Sequence, residues 1–299
     1  MDQEKIVGIL EGAGPFLSKS YQSAVTLNGM SWRDAFLMLI SKTFKTEEEF
    51  QAAIKGYKKF IFESMRLQEE FNDSGRYQCT GYQEALDTTY NDMEYMLSEY
   101  LPGLFLSNFL WPHHVRQHNF YTNQFLSELK PRSQEKQLKF CDVGVGTGYY
   151  SLMTFEELSH VSGTAYDISD ASLAFANQLI ARNGYAQNFE AKKFDILTEN
   201  TLPKFDFVIC NEVLEHLERP QDFIHCLGEM LEDGGKMFLT AALNAANRDH
   251  IYLYEGIEDI RNQVLESGLK ILSSGSFYAY GGASRSQRTP EVAAFIIAR

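Results

Sequence analysis

The sequence predicts an α/β fold with a mostly parallel sheet, preceded by a segment that is entirely helical. From residue 138 onward, short apolar runs alternate with helical patterns, which is typical of βαβ units with helices on both faces of a sheet. The first run, Leu138–Val143, leads into three glycines at alternate positions, as expected for a strand entering a tight loop before a helix. Residues 1–129 carry helical spacing without this alternation.

The last two predicted strands differ from the others in how they are connected. Apolar runs at 161–166, 205–210 and 236–241 are each followed by a helical pattern or a polar stretch long enough to cross over. The runs at 269–279 and 291–298 have a loop but no helix between them, so we expect them to pair antiparallel as a closing hairpin.

The helical segment, residues 1–129, is called the helical cap below. Pro102 and Gly103 are expected to break the chain, and Pro112 to begin a last helix that runs to about residue 129. The polar, proline-containing segment 130–137 predicts a boundary, which divides the chain into the cap at 1–129 and a second domain at 138–299. The aromatic residues of the cap fit ordinary helix packing, a lid over a substrate pocket, or a homodimer contact.

Composition excludes several classes of function. The chain has 299 residues and a formal net charge of −13, which disfavours broad electrostatic binding to nucleic acid or an anionic membrane. Its four cysteines show no CxxC spacing, so we expect reduced thiols in a cytoplasmic protein. The N-terminus lacks a secretory pattern, and no apolar run approaches the roughly 18 residues needed to cross a bilayer.

The glycine loop predicts a nucleotide-like ligand. A dinucleotide site requires G-x-G-x-x-G, whereas here the third glycine comes one residue early and Tyr149 follows it. Asp142 precedes Gly144, Gly146 and Gly148, and a carboxylate there suits a cation better than a pyrophosphate. The pattern D-x-G-x-G-x-G resembles the first motif of class I methyltransferases, which bind S-adenosylmethionine (SAM). The resemblance implies a Rossmann-like class I methyltransferase sheet.

Further motifs in the same order extend this resemblance over about residues 138–299. Asp167 ends the second strand, where a carboxylate can accept both ribose hydroxyls of an adenosine. Asp195 resembles the acidic residue that methyltransferases place against the adenine amino group, and Ile168 and Ile196 would flank the base. Asn211 follows the fourth strand and would face the methionine part of SAM.

An E-x-x-E-H string brings the chain nearest to the O-methyltransferases of ubiquinone biosynthesis and to small-RNA 2′-O-methyltransferases. In a helix, Glu212, Glu215 and His216 would share one face, and His250 would join them from the end of the fifth strand. The resemblance implies a divalent cation such as Mg²⁺ on these four residues, gripping a substrate hydroxyl. Equally, His216 or His250 could act as a general base without metal.

Two other groups of residues could form a binding site or could have an ordinary structural role. His114 and His118 would share a helix face, as metal ligands do, but no third ligand accompanies them. The loop 275–290 carries Arg285 and Arg288, and either arginine could meet a substrate carboxylate or phosphate. A solvated loop explains the same residues.

The sequence therefore predicts a SAM-dependent methyltransferase acting on a small-molecule acceptor, in a setting such as specialised metabolism. O-methylation is the first expectation, with N- or C-methylation behind it. Two alternatives remain: an enzyme of this fold that catalyses another reaction, such as a cyclisation, and a non-catalytic SAM-binding protein that uses its helices for association.

Overall fold

The computed structural model describes residues 1–279 and 288–299, with the helices mainly in the first half of the chain. The helices are α1 (Gln3–Gly12), α2 (Pro15–Thr43), α3 (Glu47–Ser74), α4 (Tyr82–Ala85), α5 (Met93–Tyr95), α6 (Leu101–Leu110), α7 (Pro112–Phe120), α8 (Ser127–Glu135), α9 (Tyr149–Glu157), α10 (Asp170–Arg182), α11 (Pro220–Glu229) and α12 (Ile257–Glu266). Three π-helical turns, Leu86–Tyr90, Met96–Tyr100 and Tyr121–Leu126, join neighbouring cap helices. None of the helices in these described ranges is long and apolar enough to cross a membrane.

A seven-stranded sheet forms the second half and confirms the predicted fold class. Its strands are β1 (Leu138–Val143), β2 (Val161–Asp167), β3 (Phe189–Lys193), β4 (Phe205–Asn211), β5 (Leu231–Leu243), β6 (Lys270–Tyr278) and β7 (Glu291–Ala298). Their order is β3-β2-β1-β4-β5-β7-β6, and the first five are parallel. β7 pairs antiparallel with both β5 and β6. Its pairing with β6 confirms the antiparallel arrangement that the sequence predicted for the last two strands.

The expected chain break at Pro102 and Gly103 is wrong. Both residues lie in the first turn of α6, where proline needs no hydrogen-bond partner for its nitrogen. Gly103 is required there for packing, because a Cβ at this position would overlap the ring of Phe60 from α3. The glycine therefore marks a close helix contact within the cap rather than a turn.

The last part of the cap packs directly onto the sheet. Tyr121 lies 4.7 Å from Phe238 of β5, and Phe125 lies 5.8 Å from Phe207 of β4, between ring centroids. These rings belong to one buried cluster that continues into the cap. Segment 130–137, predicted as a polar boundary, is helical as far as Glu135, so the chain enters β1 from a helix.

A second close contact inside the cap supports a stability prediction. Gly56 of α3 faces the π-helical turn 96–100, and a Cβ at Gly56 would overlap the backbone oxygen of Ser98. Backbone oxygens cannot rotate away, so Gly56→Ala is expected to lower the free energy of unfolding by about 1–3 kcal/mol. Denaturant unfolding measures this change. The matched control is Gly8→Ala, where an added Cβ would lie more than 4 Å from every described heavy atom outside its own turn of α1. Equal stability of the two variants would contradict the contact.

Candidate active site

The loop after β1 needs glycine at all three predicted positions, for two different reasons. Gly144, Gly146 and Gly148 have φ angles of 71°, 49° and 76°, in the left-handed region. A Cβ at Gly144 would overlap Val213, and one at Gly148 would lie 2.9 Å from the Cβ of Ala176. Gly146 faces open space, with only Gly144 O at 4.0 Å. Two glycines thus allow packing, and the middle one leaves bare backbone for a ligand.

Asp142 lies buried at the end of β1, where it lines the cavity beside the loop. Ser151 of α9 donates a hydrogen bond of 2.6 Å to its Oδ2. Burial raises the pKa of Asp142 to about 7 because the charged form loses hydration. A cationic ligand beside Asp142 would stabilise the ionised carboxylate, and the sequence predicted such a ligand for this position.

Asp167 connects β2 to the same loop. Its Oδ2 accepts a hydrogen bond from Gly146 N (3.0 Å) and its Oδ1 accepts one from Ser169 N (2.8 Å). Burial raises the pKa of Asp167 to about 6, although these amides favour the ionised form. Asp195 follows β3 and accepts a hydrogen bond of 3.0 Å from Leu197 N.

The parallel sheet brings the predicted cofactor residues to one edge. Eight of the nine line a single cavity: Asp142, Gly144, Gly146, Asp167, Ile168, Asp195, Ile196 and Asn211. The ninth, Gly148, packs against α10 instead. The cavity has a volume of about 770 Å³, within the range of sites for small organic ligands.

The helical cap forms the opposite wall of this cavity. Phe60, Tyr100, Leu104, Trp111 and His114 line it from the cap side. The wall is therefore largely aromatic and aliphatic, and it faces the polar ends of β1, β2 and β4. A ligand inside is enclosed between cap and sheet.

Asn211 is held at the end of β4 by two donors. Gln117 of α7 donates a hydrogen bond of 2.5 Å to Asn211 Oδ1, and Thr240 Oγ1 donates one of 3.0 Å. Gln117 is buried, and its own Oε1 has no hydrogen-bond partner in the part of the chain that the structure describes. Asn211 thus couples the last cap helix to the cavity edge.

A buried aspartate organises the histidines of the predicted catalytic group. Asp249 Oδ2 accepts hydrogen bonds from Tyr100 (2.8 Å) and Tyr90 (2.9 Å), both in the cap. The same oxygen lies 3.3 Å from Nδ1 of His216. Burial opposes charge on both groups, but their mutual attraction lowers the pKa of Asp249 and raises that of His216 to about 9. His216 is therefore an imidazolium at neutral pH.

His250 has the opposite protonation state. Its Nδ1 lies 2.7 Å from the carbonyl oxygen of Ala245, so this nitrogen carries the proton and Nε2 keeps a lone pair. Burial and the neighbouring His216 lower the pKa of His250 to about 4. His250 lines the cavity as a neutral imidazole.

Glu215 completes a compact donor cluster with these two histidines. It is fully buried and accepts one hydrogen bond from Ala242 N (3.2 Å) at Oε1. Its Oε2 has no partner among residues 1–279 and 288–299. Burial raises the pKa of Glu215 to about 8. One donor atom from each of Glu215, His216 and His250 lies within 4.8 Å of the others.

The predicted helical face for the E-x-x-E-H string is wrong. The string forms a 3₁₀ turn at Leu214–His216, and Glu212 precedes it with a φ of 51°. The carboxylate of Glu212 lies outside the three-residue cluster, with Oε2 3.8 Å from Nε2 of His114 in the cap. A side chain that sequence spacing grouped with Glu215 thus lies beside a residue almost 100 positions away.

The remaining predicted groups lie apart from one another. His118 Nδ1 is hydrogen-bonded to the hydroxyl of Tyr149 (3.0 Å), and His114 Nδ1 to Ser107 (2.9 Å). Neither histidine belongs to a group of three or more possible metal ligands among the described residues. The guanidinium of Arg288 stacks over Phe71, 5.3 Å from the ring centroid. Arg285 lies outside the described residues, as do Gly281 and Gly282 of that loop.

Sequence reasoning missed Asp249 and the two tyrosines that hold it. Asp249 directly precedes His250 after a strand, which is a recognisable signal for a polar pair at the sheet edge. Nothing in the spacing of Tyr90 and Tyr100 distinguished them from other cap aromatics. Their role depends on how the cap packs.

Comparisons with known proteins agree with this geometry. Residues 141–237 match the family described as "Methyltransferase domain". The ubiquinone biosynthesis O-methyltransferase of Azoarcus sp. is 27% identical over 124 residues, which are 42% of this chain and 52% of that protein. That of Coxiella burnetii is 28% identical over 121 residues, 40% and 50% of the two chains. The chain spans about half the length of these curated relatives.

Solved structures share the fold. The N-methyltransferase NodS from Bradyrhizobium japonicum, in complex with S-adenosylhomocysteine, has a TM-score of 0.50 at 21% identity, covering 70% of this chain and 98% of that one. The Haemonchus contortus phosphoethanolamine N-methyltransferase 2, in complex with SAM, has a TM-score of 0.54 at 14% identity, covering 74% and 60%. Motifs, sheet order and comparisons agree: residues 141–237 match a methyltransferase domain, and the sheet has the fold of class I SAM-dependent methyltransferases.

Proposed function

We propose that this chain transfers the methyl group of SAM to a hydroxyl oxygen of a small-molecule acceptor. The observation that carries the proposal is the single cavity that joins the cofactor edge of the sheet to the histidine cluster and the cap. A donor at one end and an acceptor at the other would meet inside this enclosure. Enclosure excludes water, which favours transfer to the bound acceptor.

The cofactor would lie along the carboxyl ends of β1, β2 and β4. Asp167 would accept the ribose hydroxyls, Asp195 the adenine amino group, and Ile168 and Ile196 would flank the base. The bare backbone at Gly146 would lie against the cofactor. Asp142 faces the same space and would complement a positively charged ligand.

The acceptor hydroxyl must lose a proton during transfer. Its oxygen bonds to the methyl carbon as the S–CH₃ bond breaks, and the sulfonium becomes the neutral thioether of S-adenosylhomocysteine. The proton passes to Nε2 of His250, whose lone pair is free because Nδ1 is committed to Ala245 O. His216, already protonated, would instead stabilise negative charge developing on the oxygen.

The same cluster could accommodate a divalent cation. Glu215, His216 and His250 would supply one oxygen and two nitrogens once His216 lost its proton, and among the described residues Glu215 Oε2 has no other partner. Glu212, the fourth predicted ligand, does not belong to the group. A bound Mg²⁺ would lower the pKa of a coordinated hydroxyl.

Removal of divalent cations with EDTA distinguishes a metal-free general base from a cation-dependent site. If His250 alone accepts the proton, methyl transfer is expected to be unchanged in EDTA, whereas a cation-dependent site would lose activity and regain it on addition of Mg²⁺. Glu215→Ala gives the second measurement, with folding checked by thermal unfolding because this side chain also accepts a hydrogen bond from Ala242 N. Unchanged activity in EDTA and in Glu215→Ala would exclude a catalytic metal.

The acidic chain and the enclosed cavity support a small acceptor, and we infer a cytoplasmic enzyme of specialised metabolism. The decisive test measures SAM binding by calorimetry. It then measures the release of S-adenosylhomocysteine in the presence of a panel of alcohols and phenols. Product and S-adenosylhomocysteine should accumulate together. Product without S-adenosylhomocysteine would instead support a cyclisation or another non-methylating reaction, and failure to bind SAM would support a non-catalytic role. Sedimentation would test whether the cap also forms a homodimer.

A further inference from the structure

Glu212 presents a carboxylate to the cavity without a hydrogen-bond donor. Its backbone is held at a φ of 51° by hydrogen bonds from Glu212 N to Thr240, through the main-chain oxygen (3.2 Å) and Oγ1 (3.0 Å). The side chain is 23% exposed and lines the cavity. Within residues 1–279 and 288–299 it accepts no hydrogen bond. Strained backbone of this kind is retained where it directs a functional group.

His114 faces this carboxylate as a second acceptor. The hydroxyl of Ser107 donates to Leu104 O (2.7 Å), so its oxygen accepts from His114 Nδ1 (2.9 Å). The proton of the neutral ring is therefore on Nδ1, and Nε2, which lies 3.8 Å from Glu212 Oε2, keeps its lone pair. Burial lowers the pKa of His114, which keeps the ring neutral.

Two acceptors at this separation are complementary to a group with several N–H donors. A protonated primary amine between them could donate one hydrogen bond to each, whereas a single hydroxyl could satisfy only one. The surroundings favour a cation: the described residues that line the cavity include seven aspartates and glutamates but only one arginine or lysine, Arg219. The ring of Trp111 lies 5.0 Å from that of His114 and adds an aromatic face.

We propose that Glu212 and His114 bind a protonated amine of the methyl acceptor, which is therefore a hydroxylated amine. This inference rests on the proposed function, since it assumes that the cavity holds an acceptor beside SAM. The amine is the anchor, and the hydroxyl is the group presented to His250. The cap contributes specificity directly, through a residue of α7.

One rival occupant is SAM itself, whose methionine part carries an ammonium. S-Adenosylhomocysteine keeps that ammonium, so its affinity reports on this rival. If Glu212 binds the cofactor, Glu212→Gln will weaken S-adenosylhomocysteine binding at least tenfold. If Glu212 binds the acceptor, this affinity will change less than twofold.

The test is calorimetry on the protein saturated with S-adenosylhomocysteine. The probes are tyramine, ethanolamine and 2-aminodecan-1-ol, each paired with the compound that carries methyl in place of the amine. At least one amine is expected to bind tenfold or more tightly than its neutral partner, and Glu212→Gln should remove that preference. Glu218→Gln, which changes another carboxylate of the same cavity, should retain it.

Three results would overturn the inference: no amine preferred by the wild-type chain, a preference unchanged in Glu212→Gln, or a tenfold loss of S-adenosylhomocysteine affinity in that variant. Thermal unfolding of both variants verifies that they fold. The proposed function is judged separately. A wild-type chain that methylates a neutral alcohol and shows no amine preference would support methyl transfer and reject the amine site.

Discussion

Replacing His250 with glutamine is expected to lower kcat for methyl transfer by about 10²–10⁴-fold while leaving the Kd for SAM unchanged. The loss follows from removal of the Nε2 lone pair, which is free because Nδ1 donates to Ala245 O. Glutamine preserves a donor for that carbonyl, so the local backbone should persist. Single-turnover release of S-adenosylhomocysteine measures the effect, with calorimetry for the cofactor.

The matched control is His225→Gln, since His225 is an exposed histidine on α11. It should retain wild-type kcat. Near-wild-type turnover in His250→Gln would remove His250 from the reaction and leave the proton acceptor elsewhere in the cavity. A loss of SAM affinity in that variant would instead place His250 in the cofactor site.

Asp167→Asn is expected to weaken binding of both SAM and S-adenosylhomocysteine by about 1.5–3 kcal/mol, roughly ten- to hundredfold. The charged oxygens that would accept the ribose hydroxyls are lost, and the hydrogen bond that Gly146 N donates to Oδ2 is weakened. Both ligands carry the same ribose, so they should lose affinity equally. Calorimetry with each ligand measures the change.

The pH dependence of cofactor binding provides an independent readout. Burial raises the pKa of Asp167 to about 6, so the carboxylate gains a proton as pH falls through 6 and SAM binding should weaken there. Because this pKa lies above the roughly 3.9 of an unperturbed aspartate, the stability that Asp167 gives the unliganded protein is lost as pH rises from about 4 to 6. In Asp167→Asn, the contributions of this residue to the pH dependence of SAM binding and of stability should both be absent.

Asp170→Asn is the control for Asp167, because Asp170 lies three residues on, exposed, in a 2.8 Å ion pair with Lys193. Exposed pairs of this kind contribute little, so SAM affinity should remain near wild type. Unchanged affinity in Asp167→Asn would show that the end of β2 does not hold the ribose.

The sequence by itself determined the sheet and the edge at which the predicted cofactor residues meet. Apolar runs and glycine turns are local signals, and in a parallel sheet the carboxyl ends of successive strands meet at one edge. Asp142, Asp167 and Asp195, more than 20 residues apart in turn, therefore line the same cavity. The antiparallel end of the sheet was predictable for a similar reason, since a loop without a helix cannot cross over.

Only the tertiary structure decided how the proposed acceptor side of the cavity is built. Spacing grouped Glu212 with Glu215, but a positive φ and a 3₁₀ turn separate them and direct Glu212 toward His114. Tyr90 and Tyr100 reach Asp249 across about 150 residues of chain. Helical periodicity identifies which cap residues share a face, but packing between cap and sheet determines which face meets the cavity.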